Sequence, residues 1–275
     1  MKPRRFDYVR PDSADEAVAV LAEYGDTASV LAGGQSLMAM LNLRVAEPAV
    51  LIDIARLTEL DYVRIAGDQV EVGAAVTQTR LKDWPELADQ LPLLAAVLPF
   101  VGHFQTRNKG TVCGSIAHAD PSSEIPLSLA TLGGEVVLRS QRGTRVLAAS
   151  EFQRGMLTTA REPDELITAA RFPILATKRV AFREVARRHG DFAIIAVAAC
   201  VKGGSAVTVG IGGVADRPAV RNATINSAAA AKEMFEQLAG ELEGYDDIHA
   251  SARLRRDLLR RVGPVVVEEA LRCAA

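Results

Sequence analysis

Ala28-Ser29-Val30-Leu31 is apolar enough for a short strand, Leu37-Met38-Ala39-Met40-Leu41 has the look of a helix start, and Ala32-Gly33-Gly34-Gln35-Ser36 must turn the chain between them. That junction limits the folds open to the chain. Two successive glycines can take positive φ angles and present bare backbone N–H groups, Ser36 adds a hydroxyl, and the new helix points the positive end of its dipole at whatever sits there. A phosphate or diphosphate would be held with no cationic side chain. A tight connection with no ligand has the same pattern, so the turn alone leaves both readings open.

A second stretch repeats the logic. From Gly102 to Glu124 the chain is dense in small, polar and basic residues and poor in apolar periodicity, which predicts a long loop between apolar helical segments. Inside it, Thr111-Val112-Cys113-Gly114-Ser115 offers another small-residue turn with free donors, just after Arg107 and Lys109. Two such turns suit a diphosphate gripped from opposite sides without a Rossmann G-x-G-x-x-G, which is absent. Asp120 or Glu124 could accept hydrogen bonds from ribose or ribityl hydroxyls.

Around these turns the pattern mixes strands with short helices. Phe6 to Pro11 reads as an extended start, Ser13 caps a helix that Gly25 stops, and Val50 to Ile54, Val63 to Ile65 and Val70 to Ala74 read as strands. Helices follow at Thr77 to Trp84, Leu91 to Val101 and Ile125 to Leu132. A hairpin turns at Arg142-Gly143 between strands at Glu135 to Arg139 and Arg145 to Ala148. Strands at Glu165 to Phe172, Val180 to Ala186, Ile194 to Val201 and Ala206 to Ile211 predict a largely antiparallel sheet, and Ala228 to Leu238 and Ala252 to Cys273 predict closing helices. Strands mixed with short helices indicate α/β or α+β rather than a bundle, and the meander followed by helices implies a separate C-terminal α+β domain beginning near residue 177.

Charge and cysteine usage narrow the function. A net charge of -2 over 275 residues implies no general polyanion surface, so nucleic acid is not expected as a partner. No uncharged apolar run approaches the ~18 residues of a membrane span, and basic Met1 to Tyr8 is not followed by an apolar run, so a cytoplasmic protein is expected. Cys113, Cys200 and Cys273 and the four histidines, His103, His118, His189 and His249, are scattered without metal-ligand spacing. No metal site and no catalytic residue of this chain's own is therefore expected. Catalytic triads and P-loops are absent too, so electrons or hydrides would need an organic cofactor.

Ala32-Gly33-Gly34-Gln35-Ser36-Leu37, Arg107-Asn108-x-Gly110-Thr111-Val112-x-Gly114-Ser115, Ala119-Asp120-Pro121 and Arg187-Arg188-x-Gly190-Asp191-Phe192-Ala193 together resemble the FAD-binding medium subunit of molybdenum hydroxylases, the xanthine dehydrogenase and carbon monoxide dehydrogenase group. The likeness covers essentially the whole chain. It implies a two-part FAD-binding domain of the vanillyl-alcohol-oxidase type over residues 1–176, with parts of about 1–55 and 56–176. A C-terminal domain of the carbon monoxide dehydrogenase flavoprotein type over 177–275 would follow. It further implies non-covalent FAD on this chain, a small partner subunit with [2Fe–2S] clusters and a large one with the molybdopterin cofactor, in a dimer of heterotrimers. Electrons would leave the complex through this chain.

Carried over by position, Leu31, Ala32, Gly33, Gly34, Gln35, Ser36 and Leu37 would grip the diphosphate from one side, and Thr111, Gly114 and Ser115 from the other. Glu124 would lie near the sugar-like part, Val101 and Gly102 beside the isoalloxazine, and Ile167 and Arg183 would be further contacts. Asp191 and Phe192 would face the ring, where relatives often have tyrosine in place of Phe192. Cys113 stands where the family usually has a first glycine, and reads as a small buried filler or a redox group. Gln35 replaces a histidine or asparagine of some members, so no side-chain role transfers to it. His103 and His118 read as packed or solvated, or as flavin neighbours. Arg253, Arg255, Arg256, Arg260 and Arg261 interleave with Leu254, Leu258, Leu259 and Val262, which predicts an amphipathic helix with a solvated or partner-docking basic face. A stand-alone FAD oxidoreductase with its own pocket, and a nucleotide-binding scaffold, remain as other readings; 275 residues leave the first little room for a substrate domain.

Overall fold

The structure is a computed structural model that describes residues 2–273. Met1, Ala274 and Ala275, at the outer limits of the expected domains, lie outside it.

The first unit is a small parallel sheet. It contains β1 (Asp7–Val9), α1 (Ala14–Tyr24), β2 (Ala28–Leu31), α2 (Leu37–Leu43) and β3 (Val50–Asp53), with strand order β1-β3-β2. Ser13 Oγ accepts the Glu16 N–H at 3.1 Å and starts α1, which then buries Ala14, Ala17, Val18 and Leu21 along one stripe. Both ends of the helix fall where the sequence expects.

The second unit holds β4 (Val63–Ala66), β5 (Gln69–Gly73), α3 (Gln78–Lys82), α4 (Leu87–Gln90), α5 (Pro92–Val97), α6 (Phe104–Arg107), α7 (Val112–His118) and α8 (Glu124–Leu132). It continues with β6 (Glu135–Ser140), β7 (Gly143–Ala148), α9 (Ala149–Phe152), β8 (Gln153–Gly155), β9 (Thr158–Thr159) and β10 (Leu166–Pro173). Its five-stranded sheet is antiparallel in the order β4-β5-β10-β6-β7. Two expectations fail here. The stretch from Gly102 to Glu124 is not one loop but carries α6 and α7, and the apolar helix beginning near Leu91 is only the six residues of α5. Helix α6 buries no residue and α7 only Val112, Cys113 and Ile116, which gives too few apolar repeats to be read as periodicity.

The third unit is a four-stranded antiparallel meander, β11 (Val180–Val185), β12 (Ile195–Gly203), β13 (Ala206–Gly212) and β14 (Ala219–Thr224), backed by α10 (Ala228–Glu241) and α11 (Ala252–Arg272). The edge strand β14 escapes sequence reading because most of its residues are exposed. Strand β12 is buried on both faces. Ala196, Ala198 and Cys200 join the core of the first two units, while Ile195, Val197, Ala199 and Val201 join a second core against α10 and α11. At ~25 cal/mol per Å2 of apolar area, that double burial makes the sheet the layer that fastens the units together. Helix α8 lies directly on β13. A Cβ at Gly210 would collide with the Thr131 side chain.

Candidate functional site

All three units border one cleft of about 500 Å3. One wall begins at β2, whose buried pairing with β3 fixes where the chain exits. The chain then turns with Gly34 at φ +69° and enters α2, whose first helical bond runs from the Met38 N–H to the Gly34 carbonyl at 3.1 Å. Among the described residues, the N–H groups of Gly33, Gly34, Gln35, Ser36 and Leu37 donate to no protein acceptor. Five consecutive donors facing a cleft form a nest for an anion.

The opposite wall is the start of α7. Thr111 Oγ1 caps it by accepting the Gly114 N–H at 2.9 Å, and the Thr111 main chain bridges to Thr77 beside α3. The two turns touch. A Cβ on Gly33 would collide with the Lys109 carbonyl oxygen and come within 2.6 Å of Gly110 Cα, so only glycine permits this approach. Cys113 is different: it has no positive φ and is buried within α7, with its thiol on the Val72 carbonyl at 3.6 Å. Burial pushes that thiol up to about 12, as expected of an inert filler rather than a redox group.

Most of the residues singled out from sequence converge here. Ala32, Gly33, Gly34, Gln35, Ser36, Leu37, Val101, Gly102, Thr111, Gly114, Ser115, Glu124, Ile167, Asp191 and Phe192 all line the cleft. Two do not. Leu31 lies beneath the turn, against Gly34, and gives its carbonyl to the Ile54 N–H at 3.0 Å. Arg183 turns away from the cleft and pairs through Nε with Glu269 of α11 at 2.9 Å, because alternate residues of β11 face opposite cores. Of the two histidines, His118 lines the cleft and His103 packs against Gly190.

Other lining residues carry no sequence signal. Gln78, the first residue of α3, is 5% exposed, and its Oε1 is a buried acceptor with no partner among the described residues. Arg161 lines the far end and donates to the carbonyls of Glu162, Pro163 and Glu165 at 3.0, 3.2 and 2.8 Å. Burial lowers its pKa from the usual guanidinium value, the carboxylates of Glu165, Asp26 and Asp164 working the other way. Glu124 is 4% exposed. Burial raises its carboxyl to about 7, with Asp120 adding to the rise. Behind it, burial and the charge of Glu124 raise Glu184 of β11 to about 8, and Glu184 Oε2 is another buried atom without a partner among the described residues.

These features fit a dinucleotide cofactor. The donors of Gly33 to Leu37 suit a diphosphate, Glu124 suits a hydroxyl donor, and the orphaned Gln78 acceptor calls for a donor from a bound molecule. The volume is in the range of about 300–1,000 Å3 typical of small-molecule sites.

Residues 4–175 match the family described as the FAD binding domain in molybdopterin dehydrogenase. The chain is 33% identical over 284 residues, 98% of its own length and 96% of the relative's, to the alpha subunit of the 6-hydroxypseudooxynicotine dehydrogenase complex of Paenarthrobacter nicotinovorans. It is 43% identical over 196 residues to the beta subunit of caffeine dehydrogenase from Pseudomonas sp. (strain CBB1), covering 70% of this chain and 66% of that one. Its fold is similar to a chain of the carbon monoxide dehydrogenase of Hydrogenophaga pseudoflava, with a TM-score of 0.94, 30% identity and 100% of both chains covered.

Proposed function

We propose a role that starts from one fact: the chain belongs to the family of FAD-binding domains of molybdopterin dehydrogenases. It is a flavoprotein subunit of a molybdenum-containing oxidoreductase, and in our reading it is the exit for electrons that reach it from the [2Fe–2S] clusters of a partner. FAD supplies the redox chemistry when bound, since it can take electrons singly and release them in pairs.

The chain's own residues bind, orient and shield. The N–H groups of residues 33–37 hold the diphosphate from one side and the start of α7, with Thr111, Gly114 and Ser115, from the other. Glu124, protonated or ionised near neutral pH, takes a hydroxyl of the sugar-like portion. Val101 and Gly102 flank the ring, and the exposed aromatic Phe192 covers the outer edge. Ile167, Asp191 and the backbone of Ala32 to Leu37 complete the contacts. We assign residues 1–176 to cofactor binding and 177–275 to the domain that closes over it. The partners are an iron–sulfur small subunit and a molybdopterin large subunit, in a cytoplasmic dimer of heterotrimers. Substrate is chosen on the large subunit, so this chain sets no substrate class.

The observation that carries the reading is the row of free N–H groups from Gly33 to Leu37, held against Lys109 and Gly110 by a contact that only Gly33 permits. An absorption spectrum of the chain purified alone and with its partners tests it. Flavin bands in the chain alone, joined in the complex by iron–sulfur absorption that bleaches with the flavin on adding substrate, is the expected result. A colourless chain that takes up no FAD would overturn it.

A further inference from the structure

The segment joining β11 to β12, residues 186–194, carries Gly190, Asp191 and Phe192 on the rim of the cleft, yet it contains no regular element. Its aim depends on two fastenings. At the tip, Gly190 has φ +86° and lies flat on the opposite rim, where a Cβ would come within 2.8 Å of His103 Cε1 and 3.1 Å of the Gly102 carbonyl carbon. At the root, the Ile194 N–H donates to the Val185 carbonyl at 2.7 Å, and the Ile194 carbonyl accepts from Arg255 Nη1 at 2.6 Å.

Arg255 belongs to the arginine run for which the sequence predicts a solvated or partner-docking face, but it is only 1% exposed. Its Nη1 also donates to the Gly213 carbonyl at 2.8 Å, its Nε to the Tyr245 carbonyl at 3.2 Å, and its Nη2 to Asp247 at 2.6 Å; the guanidinium lies 4.2 Å over the Tyr245 ring. Asp247 is in turn fixed by the N–H groups of His249 and Ala250, both at 2.8 Å. Burying a charge is costly, and an apolar side chain would join α11 to the sheet at less expense. What a guanidinium adds is a rigid fork. Here it pins the carbonyls of Ile194 and Gly213, just outside the paired ends of β12 and β13, and so sets the direction in which the segment leaves the sheet.

We propose that Arg255 is a positioning residue for the rim: from the helix layer behind the sheet it fixes the root of segment 186–194, so that Phe192 and Asp191 stand over the cleft and restrict what reaches the cofactor's edge. The access arm of this inference rests on the FAD reading above; the fastening of the segment does not. Arg187 and Arg188 within the segment are exposed, so trypsin reports its release directly.

The test uses the purified complex and the full chain, with Arg255→Lys, which keeps the charge but loses the fork. Cleavage after Arg187 or Arg188 becomes about tenfold faster as the local opening equilibrium shifts, with cofactor content and circular dichroism unchanged. Dioxygen reoxidises the reduced cofactor several-fold faster, while the rate of its reduction by substrate stays the same. Gly190→Ala, which lifts the tip, gives the same signature, and the double variant adds little to the larger single effect. A folded Arg255→Lys protein with unchanged cleavage and reoxidation overturns the proposal. If that variant fails to fold, Asp247→Asn frees one arm of the fork, and unchanged cleavage there overturns it as well. Absence of FAD from the wild-type chain removes the reoxidation arm and sinks the FAD reading, whereas the proteolysis arm still decides the role of Arg255.

Discussion

Around Arg255 each arm of a buried guanidinium meets an acceptor, whereas along the cleft Gln78 Oε1 and the N–H groups of Gly33 to Leu37 meet none. Both regions belong to one tightly packed chain, so the contrast is not one of loose against dense packing. Folding closes the polar groups around Arg255 on one another and leaves Gln78 Oε1 and the N–H groups of the cleft turn for something outside the chain. Outside the cleft lining, Gln153 Nε2, Arg179 Nε and Glu184 Oε2 have no partner among the described residues.

The strongest test of that contrast sets two crowded glycines side by side. Gly33→Ala forces the glycine turn off Lys109 and Gly110, and FAD retention falls by more than about 100-fold, equivalent to roughly 3 kcal/mol, with the circular dichroism spectrum kept. Gly210→Ala drives a methyl into Thr131 between α8 and β13 and costs about 1–3 kcal/mol of folding stability, read by denaturant unfolding, with cofactor affinity per folded molecule unchanged. If Gly33→Ala instead unfolds the chain and leaves affinity intact, the division between the regions does not hold.

Gln78→Leu sharpens the comparison. Removing an orphaned buried acceptor stabilises the cofactor-free chain by about 1 kcal/mol and weakens FAD binding roughly fivefold, the two effects having opposite signs. Thermal unfolding and a fluorescence titration of the same sample read both. A stabilised variant with unaltered affinity would mean that the ligand never meets Gln78.

The smallest effect is one of pH. Glu184 has its carboxyl raised from 4.5 to about 8, so the folded chain binds more protons than the unfolded one between those values. Its contribution to stability is therefore complete below about pH 4.5 and is lost as pH rises through about 8; Glu124, raised to about 7, adds a loss with the same sign. The cofactor-free chain should melt at a lower temperature at pH 8 than at pH 6, and Glu184→Gln should flatten that decline. An unchanged slope would show that Glu184 is solvated in the folded chain. No such slope is expected from Asp247, which the N–H groups of Ala250 and His249 and Arg255 hold below its usual range despite its burial.

Much of this architecture is legible in the residues. Ser13 with Glu16, Gly25 after Tyr24, and the short apolar runs of β4 and β5 mark elements that local chemistry decides, and the structure places their ends within a residue or two of the expected positions. The long stretch after Gly102 is legible as a site and illegible as structure. Its two helices are short, and they are held by Thr111, by the bridge to Thr77 and by the contact with Gly33 rather than by any pattern of their own. Arg183 shows the limit of carrying a role over by position: the pleat of β11 sends it to Glu269, while its neighbour Glu184 faces the core beside the cleft.

The sequence by itself determined the glycine turn at Gly33-Gly34, the capped ends of α1 and most of the strands, because each depends on residues within a few positions of one another. Only the tertiary structure decided that the turns meet, that Gln78 loses its partner and that one arginine of a basic helix is buried behind the rim of the cleft. Those outcomes depend on which distant backbone lies opposite a side chain once the cores have formed. Gly33 and Lys109, and Arg255 and Ile194, are each more than 60 residues apart, and no local pattern at either end encodes the other.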